Sequence, residues 1–359
     1  MNRLRFLHIA LYHHKFISAV TGIFDGDERI ANRYLFLDEE GPNAIKDGDY
    51  DVAYFHSLPD HAWRLLKLVP KDKTIIWWAW GYDLHSSNYG LPSFLPMRFM
   101  PITQSWRREA FGIKFSLKQP LKRIYGKLFV ERYRKEVLHR VDYLQPVLAY
   151  EWQMMRNRYK DFHAKLFLMP FTHPTLHCSS GGLQGRNLIM LGNSGLFGGN
   201  LPDVIKVLDH AGVHDRQFIV PLSYGQSPLF MDRIKQYLKD SSLDYRVLDK
   251  FLPLEEYQKI MDSCRFMVNG SLVQAAIGNI TFALMNGIKV FLWRDSELYH
   301  HYHEMGIKIF AIDDIDSHSF DEPLSNEDFQ HNLDILNKDF DKRKNTFNQV
   351  INELLEKVQ

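Results

Sequence analysis

Short apolar runs alternate with amphipathic stretches along the chain, as they do where a parallel sheet is joined by crossover helices. In the first half this predicts strands over 5–10, 34–37, 52–56, 74–78, 143–147 and 165–168, with helices such as 61–68 and 150–159 between them. The apolar runs carry few polar interruptions, which strands buried on both faces require. The alternation restarts in the second half, with strands over 187–191, 217–221, 245–248, 266–268 and 289–292 and helices over 201–210, 229–239, 254–262 and 280–286. Between the halves, 172–186 has no periodicity and carries Cys178-Ser179-Ser180-Gly181-Gly182, a linker composition. From 326 to 359 the charged pattern predicts a terminal helix or helix pair. The expected fold class is α/β, with two facing Rossmann-like domains over 1–175 and 183–325, a central cleft and a helical segment over 326–359. Ligands of such sheets bind beyond the carboxyl ends of the strands, so the chemistry belongs in the loops that follow them.

A length of 359 residues suits two domains, and 45% hydrophobic with 24% charged residues describes a globular chain. Cys178 and Cys264 are too few for a disulfide framework or a zinc cluster, which favours a reducing compartment. No apolar run approaches the roughly 18 residues of a membrane span, and Met1-Asn2-Arg3-Leu4 leads into a strand instead of a signal peptide. A net charge of +1 excludes a chain basic all over, so no nucleic-acid partner is expected. The near-neutral total conceals one imbalance. Residues 98–140 hold twelve Lys and Arg, among them Lys118, Lys122, Arg123 and Lys127, against three Glu, a surplus of nine that leaves the remainder near −8. Phe99, Met100, Trp106, Ile124 and Leu128 are interleaved with those charges, a pattern suited to an anionic membrane surface.

The clearest motif is 188–199, where a buried strand runs into Gly192-Asn193-Ser194-Gly195-Leu196-Phe197-Gly198-Gly199 and a helix starts near Leu201-Pro202. Glycines let backbone N–H groups approach an anion, and a helix N-terminus adds partial positive charge. The motif has neither the Lys-Ser/Thr ending of a P-loop nor the dinucleotide spacing, and a nucleoside diphosphate is the expected ligand. A second helix start, Gly278-Asn279-Ile280-Thr281, repeats the arrangement after another strand. The stretch Lys250-Phe251-Leu252-Pro253-Leu254-Glu255-Glu256-Tyr257 reads as helix capping with a possible base-contacting loop.

In the first half, Trp77-Trp78-Ala79-Trp80-Gly81-Tyr82-Asp83-Leu84-His85 sets a carboxylate and a histidine past an aromatic strand, as a sugar-binding site would. The alternative is an aromatic core patch with Asp83 as a cap. His13-His14 follows the first strand and His56 ends another, so Asp83 or His14 could serve as general base, with His13, His56, Trp80 and His85 lining the acceptor side. Asp25-Gly26-Asp27, Asp47-Gly48-Asp49 and Asp314-Ile315-Asp316 have the spacing of a metal-binding Asp-x-Asp. The last follows an apolar run next to the polar terminal region, so it reads as a surface strand end, and no metal or other cofactor is expected.

The chain resembles the family 56 glycosyltransferases, the enterobacterial common antigen type. The resemblance covers most of the chain and is carried by Gly192-Asn193-Ser194-Gly195, Val220-Pro221-Leu222-Ser223-Tyr224, Leu254-Glu255-Glu256-Tyr257 through Cys264, and Ile277-Gly278-Asn279 through Gly287-Ile288. In the first half it rests on His13-His14, Phe55-His56 and Trp80-Gly81-Tyr82-Asp83-Leu84. It implies the two-domain, metal-independent GT-B type glycosyltransferase fold, with the donor nucleotide on the second domain. Gly192, Asn193, Ser194, Gly195, Tyr224, Leu252, Glu256, Gly278, Asn279 and Thr281 would then hold the donor. It also implies transfer of a 4-acetamido-4,6-dideoxyhexose from a dTDP donor to an undecaprenyl-diphosphate-linked glycan, by a peripheral protein at the cytoplasmic face of the inner membrane. A nucleotide-sugar epimerase and a non-catalytic scaffold of a polysaccharide assembly complex are the competing function classes.

Overall fold

The computed structural model describes residues 3–11, 17, 22–85, 93–111, 119–170, 187–213, 216–225 and 227–358, with the backbone alone at 111, 119–123 and 125. The chain divides into two compact units, one of Met1–Met97, Lys118–Phe171 and Phe340–Gln359, the other of Arg98–Leu117 and Thr172–Asp339.

The first unit is built on six parallel strands: β1 (Leu4–Ala10), β2 (Ile30–Phe36), β3 (Val52–His56), β4 (Thr74–Trp78), β5 (Tyr143–Gln145) and β6 (Lys165–Leu166). Their order is β2-β1-β3-β4-β5-β6. Residues alternate across the sheet, so one face collects Leu7, Ile9, Phe55, Trp77 and Leu144 in one core. The other face collects Phe6, Tyr54, Ile76, Trp78 and Tyr143, packed on Phe347, Val350, Ile351 and Leu354 of the last helix. β2 begins four residues earlier than the apolar run suggested. It is an edge strand, so Asn32 and Arg33 can sit within it without breaking a two-sided core. The expected helix over 61–68 is a 3-10 helix, Asp60–Leu68.

The second unit holds β7 (Leu188–Leu191), β8 (Gln217–Pro221), β9 (Asp244–Leu248), β10 (Cys264–Asn269), β11 (Lys289–Leu292) and β12 (Phe310–Ala311), parallel and in the order β12-β11-β10-β7-β8-β9. Ile189, Leu191, Phe218, Val220, Phe266 and Val268 face helices Leu201–His210 and Pro228–Asp240 across one core. Helices Leu254–Asp262 and Ile277–Met285 follow β9 and β10. Helix Glu297–Glu304 and the short β12 lie where no strong periodicity marks them.

The basic segment 98–140 does not act as one surface. Helix Pro101–Phe111 belongs to the second unit, and Phe99, Met100 and Trp106 are partly buried against its core. These apolar residues therefore have a protein partner, which corrects the reading of the whole segment as a membrane-facing face. Two side chains, one carboxylate and one amide, hold the helix there. Asp203 accepts the backbone N–H groups of Ile102 and Thr103, both at 2.9 Å, and the Thr103 hydroxyl at 2.7 Å. A carboxylate placed against the first free N–H groups of a helix satisfies them and complements the dipole. Asn200 Oδ1 accepts the Met100 N–H at 2.8 Å. Helix Gln119–Arg140 packs instead in the first unit, through Val130, Val137 and Leu138.

The terminal segment is one helix, Asn326–Val358. Its first part is tied to the second unit through Asn332, which bonds the Lys308 N–H at 2.7 Å and the Lys308 carbonyl at 3.1 Å. From Phe340 onward it belongs to the first unit. Among the described residues, no helix is long and apolar enough to cross a membrane.

Candidate functional site

In the second sheet the chain starts at β7, moves outward to β8 and β9, then returns to β10 on the other side of β7. The crossover connections leave in opposite directions there, and in open α/β sheets ligands bind beyond the carboxyl ends of the strands at such a switch point, here β7 and β10. The sequence-predicted donor residues follow the carboxyl ends of these strands: Gly192–Gly195, Tyr224 and Leu252 in the loops after β7, β8 and β9, and Glu256, Gly278, Asn279 and Thr281 in the first turns of the helices after β9 and β10.

The loops approach each other so closely that glycine is required at several points. Gly192 has φ +71° and donates to the Val268 carbonyl at 2.8 Å, joining the ends of β7 and β10. Gly195 donates to the Tyr224 carbonyl at 2.8 Å, and a Cβ on Gly225 would lie 2.7 Å from the Gly195 carbonyl oxygen. A Cβ on Gly270 would lie 2.5 Å from the Gly199 carbonyl oxygen. Asn200, buried with φ +47°, fastens this crossing by donating to the Gly198 and Gly270 carbonyls at 3.1 and 2.9 Å. Asn200 and Asp203 were not singled out from sequence, because nothing local marks a side chain whose partners lie 70 or 100 residues away.

The two helix starts differ. Leu201, Pro202 and Asp203 are buried, and Asp203 already faces another helix, so this N-terminus is closed to an anion. At Ile277–Met285 no side chain caps the helix, Gly278 is exposed, and nothing stands within 4 Å of its Cβ direction. This second N-terminus presents free N–H groups beside the switch point. Asn279 Nδ2 donates to the Tyr257 hydroxyl at 2.9 Å, which ties helix Ile277–Met285 to Leu254–Asp262. Burial pushes the Tyr257 hydroxyl above its ordinary range, aided by Tyr224, so it stays protonated. Ser194 is buried, Asn193 and Thr281 are half-buried, and Leu252 is half-buried beside exposed Phe251, Leu254 and Glu256. Exposed Tyr224 at the end of β8 completes an apolar rim.

In the first unit the corresponding switch point lies between β1 and β3. Asp83 is fully buried. Its Oδ2 accepts the Leu58 N–H and the Trp77 indole N–H, both at 2.8 Å, and its Oδ1 accepts the Trp80 N–H at 2.9 Å. Burial pushes this carboxyl up while the three donors oppose the shift. The carboxylate faces the chain's own N–H groups and ties the ends of β3 and β4 together, which fits a cap and does not fit a base open to a substrate. His85 is buried with Nδ1 at 3.1 Å from the Pro96 carbonyl, and burial lowers it to about 4, so it braces the 93–96 segment. His56 packs edge-on to Trp78, and Trp78 lies against half-exposed Trp80 with ring centroids 4.4 Å apart. Asp83 binds Trp77 and His56 packs on Trp78, and successive strand residues point to opposite faces. The expected base Asp83 and the expected acceptor-side His56 are therefore associated with opposite faces of this sheet.

His13, His14 and Lys118 lie outside the described residues, as do the side chains of Lys122 and Arg123. Lys127 is exposed on the same stripe as Ile124 and Leu128, which are 63% and 66% exposed. The Asp-x-Asp runs are engaged locally. Asp313 accepts the Arg294 N–H at 2.8 Å, Asp314 pairs with the Arg294 guanidinium, and Asp316 accepts from Ser319 at 2.8 Å. Asp25 accepts from Asn32 and Tyr34, Asp27 from Arg29, and Asp49 from Arg5.

No protein-family model and no curated protein matches the chain. Solved structures do. The trehalose 6-phosphate synthase of Burkholderia multivorans is 9% identical with a TM-score of 0.59, covering 99% of this chain and 98% of that one. Anabaena Alr3699/HepE in complex with UDP and glucose is 8% identical with a TM-score of 0.58, covering 99% and 100%. TarM is 11% identical with a TM-score of 0.51 over 88% of this chain, which spans 55% of the TarM chain. At these identities the likeness is one of fold: the two-domain α/β fold of GT-B type glycosyltransferases, each domain on a six-stranded parallel sheet.

Proposed function

We propose that this protein is a glycosyltransferase that moves a 4-acetamido-4,6-dideoxyhexose from a dTDP donor to a polyprenyl-diphosphate-linked glycan, in the manner of the family 56 enzymes it resembles. The observation that carries the reading is the set of four loops gathered at the carboxyl ends of β10, β7, β8 and β9 around one uncapped helix N-terminus. A leaving nucleoside diphosphate develops negative charge, and fixed backbone N–H groups stabilise it most where water is excluded. The Asn193 and Ser194 amides between the two engaged glycines, and those of Gly278 and Asn279 in the first turn of the helix, supply such donors, which supports a metal-independent reaction. The exposed aromatic rings of Tyr224 and Phe251 suit a nucleobase, and the fold neighbour bound to UDP and glucose makes a nucleotide ligand reasonable. On the acceptor side, Trp80 and His56 offer a ring face and a polar edge, with His13 and His14 following β1. Asp83 is assigned a positioning role.

Titration calorimetry with dTDP, UDP and GDP tests this reading. Saturable binding of one of them, strongest for dTDP, is the expected result. No binding of any would sink it and leave a scaffold role. Conversion of the donor without an acceptor would point to an epimerase.

The exposed stripe of helix Gln119–Arg140, with Lys127 flanked by Ile124 and Leu128, supports peripheral attachment to the cytoplasmic membrane face. Vesicles containing anionic lipid should retain the protein at low salt and release it at high salt. Reversal of Lys118, Lys122, Arg123 and Lys127 to Glu should abolish retention, and unchanged retention would refute the attachment.

A further inference from the structure

Four polar side chains on three strands and the segment before β2 form a continuous chain in the first unit. Asp25 accepts the Asn32 amide N–H at 3.1 Å and the Tyr34 hydroxyl at 2.9 Å. A carboxylate only accepts, so the amide nitrogen of Asn32 faces Asp25 and its Oδ1 faces His8 Nε2, 2.9 Å away. His8 Nε2 must then carry the proton, which leaves His8 Nδ1 bare. That nitrogen lies 3.0 Å from His56 Nε2, so His56 donates to it. His56 Nδ1 is consequently a bare lone pair. Among the described residues this buried nitrogen has no hydrogen-bond partner.

The direction of the chain is thus set by one carboxylate and passed along by geometry. Both rings are buried, which pushes His8 down to about 4 and His56 well below its ordinary value, the latter with help from His8. Both imidazoles are neutral at neutral pH, as the assigned tautomers require. Each hydrogen bond polarises the next, so the Asp25 carboxylate increases the electron density on the terminal lone pair. His8 and His56 stand on the two strands that flank the switch point, and His56 adjoins the Trp78–Trp80 pair. Trp78 is itself buried, and half-exposed Trp80 stacked on it offers the ring face for a sugar, whose O–H the unpartnered nitrogen of His56 would take.

We propose that His56 Nδ1 is the general base that accepts the proton of the acceptor hydroxyl, with His8 and Asn32 as positioning residues that hold its tautomer. This rests on the glycosyl-transfer reading. In the step, the acceptor oxygen bonds to C1 of the donor sugar as the C1–O bond to the nucleoside diphosphate breaks. The diphosphate leaves with that electron pair, and the acceptor proton moves to His56 Nδ1. The hydroxyl becomes strongly acidic only as its oxygen bonds to C1, so a weakly basic imidazole suffices and is present in its basic form throughout the neutral range. Direct displacement with a base on the acceptor inverts the anomeric centre.

The test uses the full chain, dTDP-4-acetamido-4,6-dideoxygalactose as donor and a farnesyl-diphosphate-linked disaccharide as acceptor, with dTDP affinity measured separately by calorimetry. His56→Gln keeps a donor toward His8 and loses the lone pair, while His56→Asn keeps an acceptor oxygen that cannot take a proton. Both should lower kcat by about 10²–10⁴-fold with dTDP affinity unchanged, and the product should have inverted configuration. Either variant turning over at close to the wild-type rate, or a product with retained configuration, overturns the proposal. Nitrogen NMR of the histidine-labelled wild type reads the tautomers without any variant. Nε2–H on both His8 and His56 is expected, and a proton on His56 Nδ1 overturns the assignment even if the variants fail to fold. A wild type that neither binds dTDP nor turns over defeats the glycosyl-transfer reading itself and this base with it, whereas dTDP binding with active His56 variants defeats the base alone.

Discussion

Asp83 binds three N–H groups from two strand ends, and its replacement separates a cap from a base. In Asp83→Asn the amide nitrogen must face at least one of the Leu58, Trp77 or Trp80 donors, leaving a buried N–H unpaired at a cost of about 1–3 kcal/mol. Thermal unfolding should register that loss, while turnover per folded molecule should fall far less than the ~10²–10⁴-fold of a removed base. Glu297 gives a second prediction at this scale. It is buried at the start of helix Glu297–Glu304 and raised to about 7 by desolvation, against the opposing pull of Arg98 and the Gln274 N–H. Between its ordinary value near 4.5 and about 7 the unfolded chain is ionised at this position and the folded chain is not, so the folded state binds more protons. Stability therefore falls as pH rises across that window and levels off above it. Glu297→Gln should flatten the fall and be more stable than the wild type at pH 8, by about 1–3 kcal/mol. Denaturant titrations at several pH values would show it, and a parallel decline in both proteins would refute it. The residue types around Asp83 were visible in the chain, and so was the choice between cap and base. Three N–H partners decided for the cap, and they depend on what β3 and β4 place around the side chain.

At the scale of elements, helix Pro101–Phe111 owes its place to Asp203 in helix Leu201–His210. Asp203→Ala should cost about 1–3 kcal/mol by freeing two helix N–H groups and a hydroxyl. Hydrogen exchange should speed up across 101–111 while β7, β8 and β10 keep their protection, and an unchanged 101–111 would count against the cap. Most strands were legible because both faces of each sheet are covered, which forces continuous apolar runs. The weaker elements share one cause. β2 lies at an edge and β12 has two residues, so neither needs a long apolar run. The loop after β7 and the helix start after β10 looked equivalent from their glycines. Only packing shows that the start at Leu201 is buried whereas Gly278 stands exposed at the other.

For the whole molecule, helix Asn326–Val358 begins in one unit and ends in the other. Its last part places Phe347, Val350, Ile351 and Leu354 under the first sheet. Ile351→Ala should cost about 2–5 kcal/mol, since Ile351 is fully buried. The loss should appear as faster exchange in β1, β3 and β4, with β7 to β11 unaffected, and equal acceleration in both units would refute the assignment. The amino-acid sequence alone determined two α/β halves, the positions of most strands and the glycine loops that follow β7 and β10. Those follow from local rules, because periodicity and turn chemistry act over a few residues. Tertiary structure decided which segments serve which unit, so that residues 98–117 joined the second and 340–359 the first. It also decided that Asp83 faces inward and that Asp25, Asn32, His8 and His56 form one chain. The physical reason is the same for each: a hydrogen bond or an apolar contact between residues far apart in sequence is specified by the strand order, and no local pattern records it.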